Sequence, residues 1–332
     1  MDIKETLFAL SRASGPAGYE SGAAALAAEL LTPLCDEVKT DRLGSVTGTV
    51  RPRAQKADKR VLLDAHLDEI GIMVTGEKDG FYTFRTIGGI DPRILPALEF
   101  DLLTEPVTRA VVACLPPHLI QKEDSDKAKK TEDLYLDTGG VPVPPGTVGV
   151  FAGNPKTAGS LLCGKSFDDR ACFVTLLRAL EHIDRDKLRA EVVVCGSVQE
   201  EVGGRGALTA GYGIHPDYVI AVDVTHAATP DAPSVGAYKL GGGVCINLGP
   251  DCNRPLTRRL IELAKAKDIP HQLEVTSGMS GTNATEYQTT RDGAATAVLS
   301  VPLRYMHTPS EALNTGDIES CAKLIGTWVN EL

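Results

Sequence analysis

Four mainly apolar runs constrain this chain more than any other feature: VLLDAH at 61–66, VVVCGSV at 192–198, YVIAVDV at 218–224 and AATAVLSVPL at 294–303. A strand apolar on both faces must be covered on both faces, as in parallel sheets flanked by helices. Between the runs lie segments with a 3–4 residue apolar period, ACFVTLLRALEHI (171–183) and RPLTRRLIELAKAKDI (254–269). In GDIESCAKLIGTWVNEL at the end, Ile318, Cys321, Leu324, Ile325 and Trp328 form one stripe. Strand and helix alternating in this way predict an α/β fold with a mainly parallel sheet. Two further helices are expected within 1–34, on either side of the turn signal SGPAGYE.

From 71 to 160 the texture changes to short strands with Pro and Gly punctuation, including a hairpin around Lys78-Asp79-Gly80. The division expected is a catalytic domain in two parts, 1–70 and 161–332, interrupted by a small β-rich unit at 71–160. Inside that unit, QKEDSDKAKKTED (121–133) carries nine charged residues and no apolar periodicity, the mark of a solvated loop.

Composition removes several function classes. Lys and Arg number 34 against 44 Asp and Glu, a net charge of -10 with no basic run. Such a chain lacks the electrostatic footprint for nucleic acid. No uncharged stretch reaches the roughly 18 residues of a membrane span. The first residues, MDIKET, read as neither a signal nor a transit peptide. Eight scattered cysteines without a C-x-x-C motif read as buried reduced thiols, so the cytosol is the expected compartment.

The chemistry is concentrated where the apolar runs stop, as it is in open α/β sheets. Five segments supply metal-competent side chains there: AHLDE (His66, Asp68, Glu69), SFDDR (Asp168, Asp169), VQEEVGG (Glu200, Glu201), AVDVTH (Asp223, His226) and RYMHTP (His307). Any one alone reads as a cap or a turn. Five together are better explained by a metal site. Imidazoles with several carboxylates suit Zn, Co or Mn, and the carboxylates exceed what one ion needs, which points to a pair of ions. Alternation along an extended chain turns His66 and Asp68 the same way, so Asp68 can orient the imidazole from behind. Glu200 and Glu201, as neighbours, face opposite ways, leaving one carboxylate to bind and the other to move a proton.

In this order, AHLDEIG, SFDDR, VQEEVGGRGA, VIAVDVT and RYMHTP resemble the tetrahedral aminopeptidases. These are dinuclear metallopeptidases that include glutamyl aminopeptidases and cellulase-like endoglucanases so called. The resemblance spans the whole chain and implies a zinc-peptidase-like catalytic domain with an inserted dimerisation domain at 71–160. It implies two divalent ions, one held by His66, Asp168 and Asp223, the other by Asp168, Glu201 and His307. Asp168 would bridge them, with a cis peptide joining it to Asp169. Asp68 would support His66, and Glu200 would be the general base toward a bridging water. The activity implied is release of N-terminal residues from short peptides, by dimers that build a dodecamer.

One departure stands out: SGTNATEYQ places Asn283 at an acidic position of the family, which would disfavour a basic first residue if that segment lines the side-chain pocket. Two rivals remain at this point. A glycoside hydrolase also needs paired carboxylates, but the chain is only 5% aromatic, with one Trp. A non-catalytic metal-binding scaffold would show a missing base or ligand, and none is missing. Gly241-Gly242-Gly243 lacks the Lys-Ser/Thr of a phosphate loop and reads as a turn or a close approach. His226, three residues past Asp223, is the remaining histidine to watch; His118, His182, His215 and His271 read as surface residues.

Overall fold

The computed structural model describes residues 1–120, 127, 129–233 and 235–332. Most of the charged segment expected as a loop, 121–126 and 128, lies outside the described residues.

The apolar runs form the middle of an 11-stranded sheet. Ala190–Ser197, Lys59–His66, Tyr218–His226 and Ala295–Arg304 lie side by side in that order, all parallel. Antiparallel strands finish the sheet on both sides, Val46–Val50 against Ala190–Ser197 and Glu311–Leu313 against Ala295–Arg304. The strand Val244–Leu248 branches from Ala295–Arg304 and pairs in parallel with His271–Val275. Helices Phe167–Glu181 and Thr315–Asn330 bury their apolar faces in the main core, including the whole expected stripe from Ile318 to Trp328. The Trp328 ring meets Tyr218 edge-on at 5.8 Å.

Helix starts follow the capping rules. Asp2 accepts the N–H of Glu5 ahead of Ile3–Arg12, Asn253 that of Leu256 ahead of Arg254–Ala266, and Asn314 that of Gly316 ahead of Thr315–Asn330. The three glycines at 241–243 make a turn, with the Gly241 and Gly243 amides donating to the Asp317 carboxylate. A Cβ on Gly243 would lie 2.0 Å from the Pro270 carbonyl, which explains the glycine there.

The β-rich insertion is a closed six-stranded antiparallel barrel running from Gly71 to Phe151. Ile72, Val74, Phe84, Phe100, Leu102, Val112, Leu136 and Phe151 fill its interior. Its first hairpin turns through Asp79 and Gly80, both at positive φ, between the paired Lys78 and Phe81. That is the two-residue turn whose twist matches the strands. Closing the sheet removes its open edges. Beyond the barrel, Lys156–Ala158 already pairs within the larger sheet. All eight cysteines are unpaired, but only five are buried: Cys35 and Cys163 are half-buried and Cys114 is exposed. Among the described residues no helix is long and apolar enough to cross a membrane.

Candidate active site

The carboxyl ends of the parallel strands converge on a cleft of ≈ 500 Å³ lined by His66, Asp168, Glu200, Glu201, Asp223 and His307, among others. Each arrives for a local reason. His66 ends Lys59–His66, and Glu200 and Glu201 follow the strand paired beside it, in register Ser197 to His66. Asp223 lies near the end of Tyr218–His226, and His307 just beyond Ala295–Arg304. Asp168 opens the helix Phe167–Glu181, across a cis peptide to Asp169. Ser166, Gln199 and His307 hold φ near +60°, a conformation that non-glycine residues keep only where the surroundings fix it.

Asp168 is the hub. One carboxylate oxygen lies 3.2 Å from His66 Nε2 and the other 3.2 Å from His307 Nε2. His307 Nε2 is also 3.3 Å from Glu201, and His66 Nε2 is 3.9 Å from Glu200. Ligand atoms of His66, Asp168 and Glu201 lie within 4.8 Å of one another, as do those of His66, Asp169 and Asp223. Asp169 therefore stands close to the cluster too; its other role is to accept the His66 backbone N–H at 3.1 Å.

Both imidazoles have their second nitrogen fixed. His66 Nδ1 meets the Asp68 carbonyl at 3.1 Å, and His307 Nδ1 meets the Gly89 carbonyl at 2.6 Å, so each Nε2 faces the cleft. This is how a metal-binding imidazole is usually aimed. Gly89 belongs to the stretch that leaves the barrel, and a Cβ there would come within 3.3 Å of His307. The insertion thus helps to build the site.

Asp68 does more than stand behind His66. Its carboxylate is 3.4 Å from His66 Nδ1, farther than its own carbonyl. Its two oxygens accept the Glu200 and Glu201 amides, each at 3.0 Å. One buried carboxylate therefore fixes both glutamates of the neighbouring strand end.

Glu69, also metal-competent on sequence grounds, faces away from the cleft. It receives Arg170 at 3.1 Å, Lys165 at 2.5 Å, the Gly15 amide at 3.0 Å and the Ser166 hydroxyl. Arg170 is fully buried and also donates to the carbonyls of Leu67, Leu10 and Ala13. This network ties the His66 and Asp168 loops to the first helix. Removing one partner of a buried charge set costs about 3–5 kcal/mol. Arg170→Met is therefore expected to lower the urea midpoint of unfolding by that much stability, and an unchanged midpoint would contradict it.

Sequence reasoning missed Glu311, which links two segments of the site. One of its oxygens accepts the amides of Phe167 and Asp168 at 2.7 and 3.1 Å, the other that of His307 at 3.0 Å. A lone acidic residue two positions after a proline offers no clue to such a role.

Asn283 is not in the cleft. Ser280, Gly281 and Thr282 line it, whereas Asn283 is turned into the protein, donating to Asp64 and Ser197, both at 2.9 Å. The segment therefore borders the cleft, but the Asn283 amide that would bear on substrate choice does not reach it. His226 does line the cleft, exposed at its rim.

The electrostatics suit cations. Burial pushes the Glu200 carboxyl up to about 7, opposed by His66 and aided by Glu201, Asp68 and Asp168. Burial also raises Glu201, Asp169 and Asp223. Asp168 moves the other way: despite its burial, His307 and His66 hold it below the usual carboxylate range. His307 is raised to about 11, its partial burial outweighed by Asp168 and Glu201. So many mutually repelling carboxylates, interleaved with two imidazoles aimed at them, form an oxygen and nitrogen donor set that divalent cations satisfy.

A mostly parallel α/β sheet with such a donor cluster at its strand ends has the makings of a metal-dependent enzyme. Residues 44–324 match the M42 glutamyl aminopeptidase family, and the chain belongs to that family, the metallo-aminopeptidases. It is 35% identical to the lysyl aminopeptidase of Pyrococcus furiosus, over 96% of this chain and 94% of that one. Among solved structures it resembles the TET aminopeptidase of the marine sediment archaeon Thaumarchaeota archaeon SCGC AB-539-E09, with TM-score 0.92, 28% identity and coverage of 99% and 97%. It is also similar to the TET1 peptidase of Pyrococcus horikoshii, with TM-score 0.86, 30% identity and full coverage of both chains; that peptidase can assemble into a tetrahedron or a large octahedral shell.

Proposed function

We propose that this metallo-aminopeptidase releases the N-terminal residue of short peptides with two divalent cations, Zn, Co or Mn, held around Asp168. The observation that carries the reading is the placement of Asp168, one oxygen toward each Nε2 of two imidazoles whose other nitrogens are tied down. His66, Asp168 and Asp223 would hold one cation, and Asp168, Glu201 and His307 the other. When bound, such ions supply Lewis-acid polarisation of the scissile carbonyl and make a water acidic near neutral pH.

The chain's own residues supply the rest. Glu200 takes the proton from the attacking water and returns it to the leaving amine. Its place in the cleft, 3.9 Å from His66 Nε2 and beside Glu201, supports this. Asp68 keeps Glu200 and Glu201 in place through their amides. Asp68→Asn weakens both this clamp and the environment of His66, so metal affinity is expected to fall by about 10–100-fold, as read by competition with a fluorescent chelator. Unchanged affinity would remove Asp68 from the machinery.

The barrel is proposed as the dimerisation domain, and dimers as the units of a dodecamer. Support comes from the likeness to a peptidase that assembles into a tetrahedron. The test of the reaction is a short peptide with a free amino end beside its N-acetylated twin, incubated with the metal-loaded protein and followed by mass spectrometry. Stepwise loss of the first residue from the free peptide alone is expected. Internal cleavage, or equal attack on both, would refute an aminopeptidase.

A further inference from the structure

The wall of the cleft beyond the metal-binding cluster carries a carboxylate to which the proposed mechanism gives no task. Glu274, on the strand His271–Val275, lines the cleft and is half-buried. Its two oxygens accept hydrogen bonds from neutral donors, Thr225 Oγ1 at 2.6 Å and Ser300 Oγ at 2.8 Å. Both hydroxyls belong to the surface that presents Asp223. Thr225 lies two residues along the same strand and so on the same face, and Ser300 is the registered partner of Asp223 on the adjacent strand. Glu274 is therefore fixed beside the cluster.

Among the described residues no Lys or Arg lines the cleft and no ion pair to Glu274 is formed. Asn247 pairs with Glu274 in register, the Tyr238 hydroxyl lies within reach of its charge, and His226, Ser280 and Thr282 line the same cleft. An anion held by hydroxyls at the wall of a binding cleft keeps unused lone pairs for a donor that arrives with the ligand.

Resting on the aminopeptidase reading above, we infer that Glu274 is the specificity determinant for the first side chain of the substrate and selects a cationic one, lysine or arginine. The ammonium or guanidinium pairs with the Glu274 carboxylate while the scissile carbonyl lies over the Asp168 cluster. A glutamate or aspartate first residue is repelled. A norleucine, which has the length of lysine without its charge, leaves Glu274 unpaired.

The test compares lysyl, arginyl, norleucyl and glutamyl p-nitroanilides with the metal-loaded wild type and Glu274→Gln. A charge-assisted hydrogen bond corresponds to roughly 10–100-fold. The wild-type kcat/KM should favour lysyl over norleucyl by that factor, and Glu274→Gln should collapse the ratio toward one. Calorimetric titration of lysinamide against norleucinamide reads the same preference without turnover. A wild type indifferent to the charge, or a variant that keeps the ratio, overturns the inference. A variant that slows every substrate by the same factor also overturns it, since Glu274 would then serve the amine or the cluster rather than the side chain. Hydrolysis of none of the four by the loaded wild type would instead refute the aminopeptidase reading, and this inference with it.

Discussion

Glu200→Gln is expected to lower kcat by about 10²–10⁴-fold, the usual contribution of a positioned general base, while the protein still folds and binds its metals. The substitution keeps the side-chain volume and the backbone amide bonded to Asp68, so the local path of the chain has no reason to change. What it removes is a carboxylate in the cleft, 3.9 Å from His66 Nε2 and pushed by burial up to about 7. An amide oxygen accepts a hydrogen bond but does not take a proton near neutral pH. The loss should therefore fall on kcat, with metal content by mass spectrometry unchanged. A variant that turns over at the wild-type rate would assign the proton transfer elsewhere, and one that has lost metal would make Glu200 a ligand.

The second large effect concerns Asp168. Substituting an alanine there takes away the carboxylate whose two oxygens face the two imidazoles. Loss of an outer partner of a metal ligand costs roughly 10–100-fold in affinity, and removal of a shared ligand should cost more at both positions. Asp168→Ala is expected to be inactive and to retain neither ion after dialysis. Retention of one ion at wild-type affinity would show that Asp168 does not bridge.

How much of this was legible in the sequence depended on the range of the interaction. The four parallel strands were readable because burial on both faces leaves a mark within six to ten consecutive residues, and polar residues ending such runs had to face the strand ends. Barrel closure was not readable. Four of its six strands have five residues or fewer, and only the pairing of Gly71–Lys78 with Val148–Phe151 across the insertion closes it. Glu69 shows the limit of residue type as a guide: it has the chemistry of a ligand, and the structure spends it on Lys165 and Arg170. Glu311 and Glu274 were invisible because their partners are amides and hydroxyls far away in the chain. For Asn283, the segment indeed borders the cleft, but a loop has no fixed period to say which of its side chains turn inward.

The central claim is that peptide hydrolysis depends on cations held around Asp168, and metal removal tests it most directly. Protein stripped with a chelator and dialysed is titrated with Zn, Co or Mn while bound ion per chain and release of p-nitroaniline from aminoacyl substrates are followed together. Activity that vanishes on stripping and returns as two ions bind is the expected result. Full activity in the stripped protein, or two bound ions with no activity under any of the three metals, would contradict it.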